Sequence, residues 1–144
     1  MWWVGTHGGS GESTFATLLS GSLESHHTWP QSASPPPGGI PVVLTARTSF
    51  HGLDSSRSAL TQWASGAVPG VELLGLALVS DAPGKLPKPL KDFAHLVEGG
   101  APRTWRVPWI EQWRTDPPTA PDQRGMPTEL RKLIKSVQAL ILKR

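Results

Sequence analysis

Two continuous apolar runs rich in β-branched residues, Ile40–Ala46 (IPVVLTA) and Val71–Val79 (VELLGLALV), mark strands buried on both faces. Between and after them the hydrophobic period changes to that of a helix. Leu53, Leu60, Trp63 and Ala64 share one face of a helix expected from Leu53 to about Ala64, with Asp54 or Ser55 near its start and Gly66 placed to stop it. Leu90, Phe93, Ala94 and Val97 share a face of a second helix over Lys88–Glu98, ended by Gly99 and Gly100. A short strand over Thr104–Trp109 terminates at Pro108, and Ile110–Arg114 has room for one helical turn. Alternating strands and helices predict a mostly parallel sheet with right-handed crossovers. Last comes an amphipathic helix opened by Pro127 and Thr128. Leu130, Leu133, Ile134, Val137, Leu140 and Ile141 line its apolar stripe, and Arg131, Lys132, Lys135 and Lys143 fall opposite.

The chain begins with a short apolar run, Met1–Val4, followed by four glycines in the seven residues Gly5–Gly11. Phe15, Leu18 and Leu19 then recur at helical spacing and predict a helix from about Ser13 to about Ser20. Strand, glycine loop, helix is the arrangement in which successive backbone N–H groups converge on an anion. Gly8, Gly9, Ser10, Gly11, Glu12, Ser13 and Thr14 are the candidate phosphate-binding residues. A strand of four residues is short for the centre of such a sheet, which leaves two readings open: a short strand, or a natural start upstream of Met1.

The run His7–Thr14 (HGGSGEST) resembles the deviant P-loop of the ParA/MinD partition ATPases, whose pattern is K-G-G-x-G-K-S/T-T. The glycines and hydroxyls match, while His7 and Glu12 stand where that family has its two lysines. The resemblance implies an α/β fold of reduced, three-layer P-loop NTPase type, with Mg-ATP or Mg-GTP as cofactor and Ser13 as the Mg²⁺ ligand if a nucleotide binds. Glu12 puts a carboxylate where a cation should hold the β and γ phosphates, so repulsion between like charges is expected to weaken triphosphate binding severely. The chain is thus expected to carry no competent ATPase and no resident cofactor. His7–Ser10 also resembles the oxyanion loop of esterases, but the chain lacks the G-x-S-x-G nucleophile elbow that such chemistry needs.

Arg47 follows the strand Ile40–Ala46, where open α/β sheets place ligands, and has two roles open to it. It can bind the phosphate that Glu12 repels, or pair with Glu12 and fill the site with protein; the ion pair is the favoured expectation. Asp81, after the second buried strand, occupies the position from which related ATPases and GTPases read the base, and equally suits a turn beside Pro83 and Gly84. His26 and His27 lie in a Ser-, Pro- and Gly-rich stretch, residues 21–39, expected to be a loop; with no carboxylate pair or cysteine pair nearby in sequence they read as solvated histidines rather than metal ligands.

Composition narrows this reading further. Gly and Pro number 15 each among 144 residues, so much of the chain must be loop. The absence of cysteine excludes disulfides and thiolate metal sites. Seven tryptophans with no tyrosine suit bulky core packing better than interface anchoring. No apolar run reaches membrane-spanning length, which leads to the expectation of a cytoplasmic protein. The domain expectation is a P-loop-like unit over residues 1–114, a Pro-rich linker over 115–127 and the basic helix over 128–144. That helix reads first as one docked on the sheet with a solvated basic face; the pI of about 9.7 and the late clustering of basic residues add a protein partner, DNA or anionic lipid as sharper readings of it. A homodimer across the loop face is a further option. The chain also resembles small uncharacterised P-loop-like proteins found near bacterial conjugation and mobile-element genes. The function expected is that of a degenerate ParA/MinD-like adaptor in such processes, with a weak nucleotide switch or a DNA-binding accessory protein as alternatives.

Overall fold

The computed structural model describes residues 1–122 and 124–144. Its strands are β1 Trp2–Gly5, β2 Leu23–Glu24, β3 Ile40–Arg47, β4 Val71–Val79 and β5 Thr104–Val107. Its helices are α1 Glu12–Leu18, α2 Phe50–Ala64, α3 Lys88–Glu98 and α4 Thr128–Leu142, with a single 3-10 turn at Glu111–Arg114. All five strands are parallel, in the order β2-β1-β3-β4-β5.

Both faces of the sheet are covered, which is why β3 and β4 read as unbroken apolar runs. On one face Trp3, Val43, Leu74, Ala77 and Val79 pack against α1 and α4. On the other, Val42, Leu44, Leu76 and Leu78 pack against α2 and α3. Trp3 is fully buried and stacks on Phe15 at 4.9 Å between ring centroids, the packing role expected of the tryptophans.

Several boundaries differ from expectation: α1 runs Glu12–Leu18 and stops two residues early, and β5 ends at Val107, ahead of Pro108. α2 begins three residues earlier, because Ser49 caps it by accepting the Gly52 N–H at 3.0 Å. Residues 21–39 contain β2, which pairs with Trp2 and Trp3; two residues carry no readable period. Finally, α4 docks on the sheet, the first reading of its apolar stripe, and so is not set apart from the domain by a linker. Leu130, Leu133, Ile134 and Val137 are buried in the same core as Trp3, and Met126, within the expected linker, joins them. Burying each such side chain stabilises the fold by roughly 1.5–3 kcal/mol, which fixes the helix on the sheet. Among the described residues, no helix is long and apolar enough to cross a membrane.

Candidate functional site

The chain leaves β1 for α1 on one face of the sheet and leaves β3 for α2 on the other, so the crossovers diverge between β1 and β3. In open α/β sheets the crevice at such a divergence, beyond the carboxyl ends of the strands, is where ligands bind. The loop Thr6–Gly11 and the residues Arg47–Ser49 stand on its two sides.

Gly9 and Gly11 adopt positive φ, 77° and 98°, which turns the chain sharply into α1 without a Cβ penalty. Gly8 and Gly9 are exposed, and Gly11 is half-buried. Among the described residues, no acceptor takes up the N–H groups of these three glycines. Ser10 is buried, and its hydroxyl accepts from Thr45 on β3 at 3.1 Å, pinning the loop to the sheet. Ser13 is exposed and Thr14 half-buried at the start of α1.

Glu12 turns inward and is 4% exposed. Its carboxylate accepts the N–H groups of Gly5, of His26 at 2.6 Å and of His27 at 3.1 Å, and the His27 ring lies 3.5 Å away. A buried carboxylate needs such donors, since leaving it unpaired costs several kcal/mol. Gly5 makes the approach possible. A Cβ there would lie 2.8 Å from the carboxylate and 2.7 Å from His27 Nδ1.

The expected ion pair between Glu12 and Arg47 does not form. Strand order is the reason: Glu12 faces β2 and the turn after it, whereas Arg47 emerges from β3 on the opposite side of β1. Arg47 instead donates Nε to the Gly9 carbonyl at 2.9 Å and Nη1 to the Ser80 carbonyl at 3.2 Å, bridging the glycine loop and the end of β4. The expectation that His26 and His27 have no carboxylate pair beside them is also overturned, because folding adds Glu12 to the neighbouring Glu24.

His7, at the first lysine position, joins the loop to β3. Its Nε2 accepts the Arg47 N–H at 2.9 Å, so the proton sits on Nδ1, which donates to the Gly8 carbonyl at 2.8 Å. Burial pushes the imidazole below its ordinary pKa. The Gly8 carbonyl opposes that shift, and the nearby His51, Arg47 and His27 add to it. The ring is therefore neutral at pH 7, and no positive side chain from either lysine position reaches the loop.

Asp81 is exposed at the end of β4, with its backbone N–H donated to Thr48 Oγ1 at 3.3 Å. It borders a space of about 210 Å³ shared with Thr48, Lys85 and Arg106. A larger cleft of about 580 Å³ opens from Gly5 and Thr6 along α2, lined further by His27, Trp29, His51 and Gln62. Trp29 Nε1 donates to Gln62 Oε1 at 2.7 Å across it. Sequence reasoning did not foresee this cleft, although His51, Asp54, Ser55, Ser58 and Gln62 form a polar stripe at helical spacing on α2. Arg131, Lys132 and Lys135 on α4 and Lys143 just after it are all exposed.

Neither a curated protein nor a solved structure matches the chain. A family model does match, over residues 1–134, and the chain belongs to that family, the Family of unknown function (DUF6668).

Proposed function

We propose that the chain is a degenerate relative of the ParA/MinD ATPases, without a competent ATPase, that works as an interaction or adaptor protein in plasmid, mobile-element or conjugation-related processes. The parallel sheet and the glycine loop beside the β1/β3 crevice support the ancestry. One observation carries the loss of activity: the residue at the phosphate-gripping position is a buried carboxylate tied to three backbone N–H groups. It cannot swing out as a cation would, and it sets a negative charge behind the loop that a triphosphate must approach. Arg47, a cation beside the glycine loop, is held by two carbonyls.

Thermal unfolding with and without Mg-ATP, Mg-GTP and pyrophosphate tests the reading. The wild-type midpoint stays unchanged, whereas Glu12→Lys, starting from a lower midpoint, rises with ligand. A wild-type rise that grows with nucleotide concentration overturns the reading.

The basic face of α4 favours a second reading, a DNA-binding accessory protein. Arg131, Lys132, Lys135 and Lys143 are exposed and take part in no ion pair among the described residues. Binding to duplex DNA would then weaken steeply with salt, and the slope would shrink by about 0.9 for each lysine neutralised in Lys132→Gln and Lys135→Gln. A salt-independent interaction removes that reading.

A further inference from the structure

The turn after β2 brings Glu12 of α1 to two further metal-ligating groups, Glu24 and His26. Oxygen atoms of Glu12 and Glu24 and a ring nitrogen of His26 lie within 4.8 Å of one another. His26 Nε2 is 4.0 Å from Glu24 Oε1, and the His27 ring stands against Glu12 from the other side. Among the described residues, neither carboxylate has a lysine or arginine in salt-bridge reach; imidazoles are their only possible cationic partners. Two carboxylates this close, one of them buried, repel each other unless a positive charge sits between them.

We propose that Glu12, Glu24 and His26 bind a divalent transition-metal ion of the zinc class. Two carboxylate oxygens and one imidazole nitrogen suit such an ion, which takes both donor types at about 2.0–2.2 Å. The imidazole disfavours Mg²⁺ and Ca²⁺, which prefer all-oxygen shells. Glu12 is the fixed member: the N–H groups of Gly5, His26 and His27 orient its carboxylate, as outer-shell donors do for metal-ligating carboxylates. Glu24 and His26 are the adjustable members, with side chains 35% and 80% exposed, so rotamer changes alone can draw them in around the ion. Three protein ligands leave the fourth position of a tetrahedral ion to water. Binding would cross-link α1 to the edge strand β2 and exchange electrostatic repulsion for coordination. This site does not depend on the proposed loss of ATPase activity and uses no residue of the glycine loop's open N–H groups.

The test is titration calorimetry of tag-free, chelator-stripped full-length protein with Zn²⁺ at pH 7.5, with Mg²⁺ as the comparison ion. Wild type takes up one equivalent of Zn²⁺ and no Mg²⁺. Glu24→Gln and His26→Ala each weaken binding at least 10-fold, with folding checked by circular dichroism, because both side chains are at the surface. His95→Ala, on α3, binds like wild type. No Zn²⁺ uptake by wild type, or equal affinity in wild type, Glu24→Gln and His26→Ala, overturns the proposal.

Discussion

Glu98, at the end of α3, meets a guanidinium, while Glu12, at the start of α1, meets backbone amides and imidazoles. Arg106 on β5 donates to the two oxygens of Glu98 at 3.0 and 2.8 Å and holds its carboxyl below the usual range, against a smaller opposing effect of burial. That charge is balanced mainly by the guanidinium, with the His95 ring 3.6 Å away, at a partly exposed site. Among the described residues, the charge on Glu12 is balanced only by backbone dipoles and the His27 ring, in nearly complete burial. The difference shows which part of the molecule depends on its acid. Around α3 and β5 the acid is one half of an exchangeable ion pair; around β1 and β2 it organises three chain segments at once.

Removing each acid measures that difference. Glu12→Ala leaves the N–H groups of Gly5, His26 and His27 without their acceptor, and the expected loss is about 3 kcal/mol in urea unfolding. A loss below about 0.5 kcal/mol would show that water replaces the carboxylate freely. Glu98→Gln is expected to cost less than about 1 kcal/mol, because a partly exposed pair is screened by solvent. If the two losses come out equal, the contrast between the regions fails.

The smallest effect is expected from pH. His7 has a folded-state pKa lowered from 6.5, so the unfolded chain takes up a proton that the folded ring resists. The ring's contribution is fully present above pH 6.5 and is lost as pH falls through the lowered folded value. His7→Asn should therefore flatten the decline in unfolding free energy between pH 7.5 and pH 5. An unchanged slope in His7→Asn would place the titration elsewhere.

Much of the scaffold was legible in one sequence, because β3, β4, α3 and α4 announce themselves through local period and their boundaries hold to within a residue or so. The partition of the helices between two faces followed from parallel pairing. The surroundings of Glu12 were not legible. Its partners stand at positions 5, 26 and 27, and their convergence depends on β2 joining the sheet outside β1, a pairing that two residues without periodicity cannot signal. The same strand order separates Arg47 from Glu12, so an ion pair reasonable from strand-end positions alone was not available in space. Glu24 and His26 read as loop residues for the same reason; only folding sets them beside an acid from α1.

A sheet made entirely of parallel ladders contains no hairpin. Its shortest-range pairing, Trp2 with Leu23, already encloses the glycine loop and α1, and β3 must then reach past β2 to take its place beside β1. Each ladder has to close a long stretch of chain before its contacts reward the closure, so refolding from denaturant will be slower than the microsecond scale of small helical bundles.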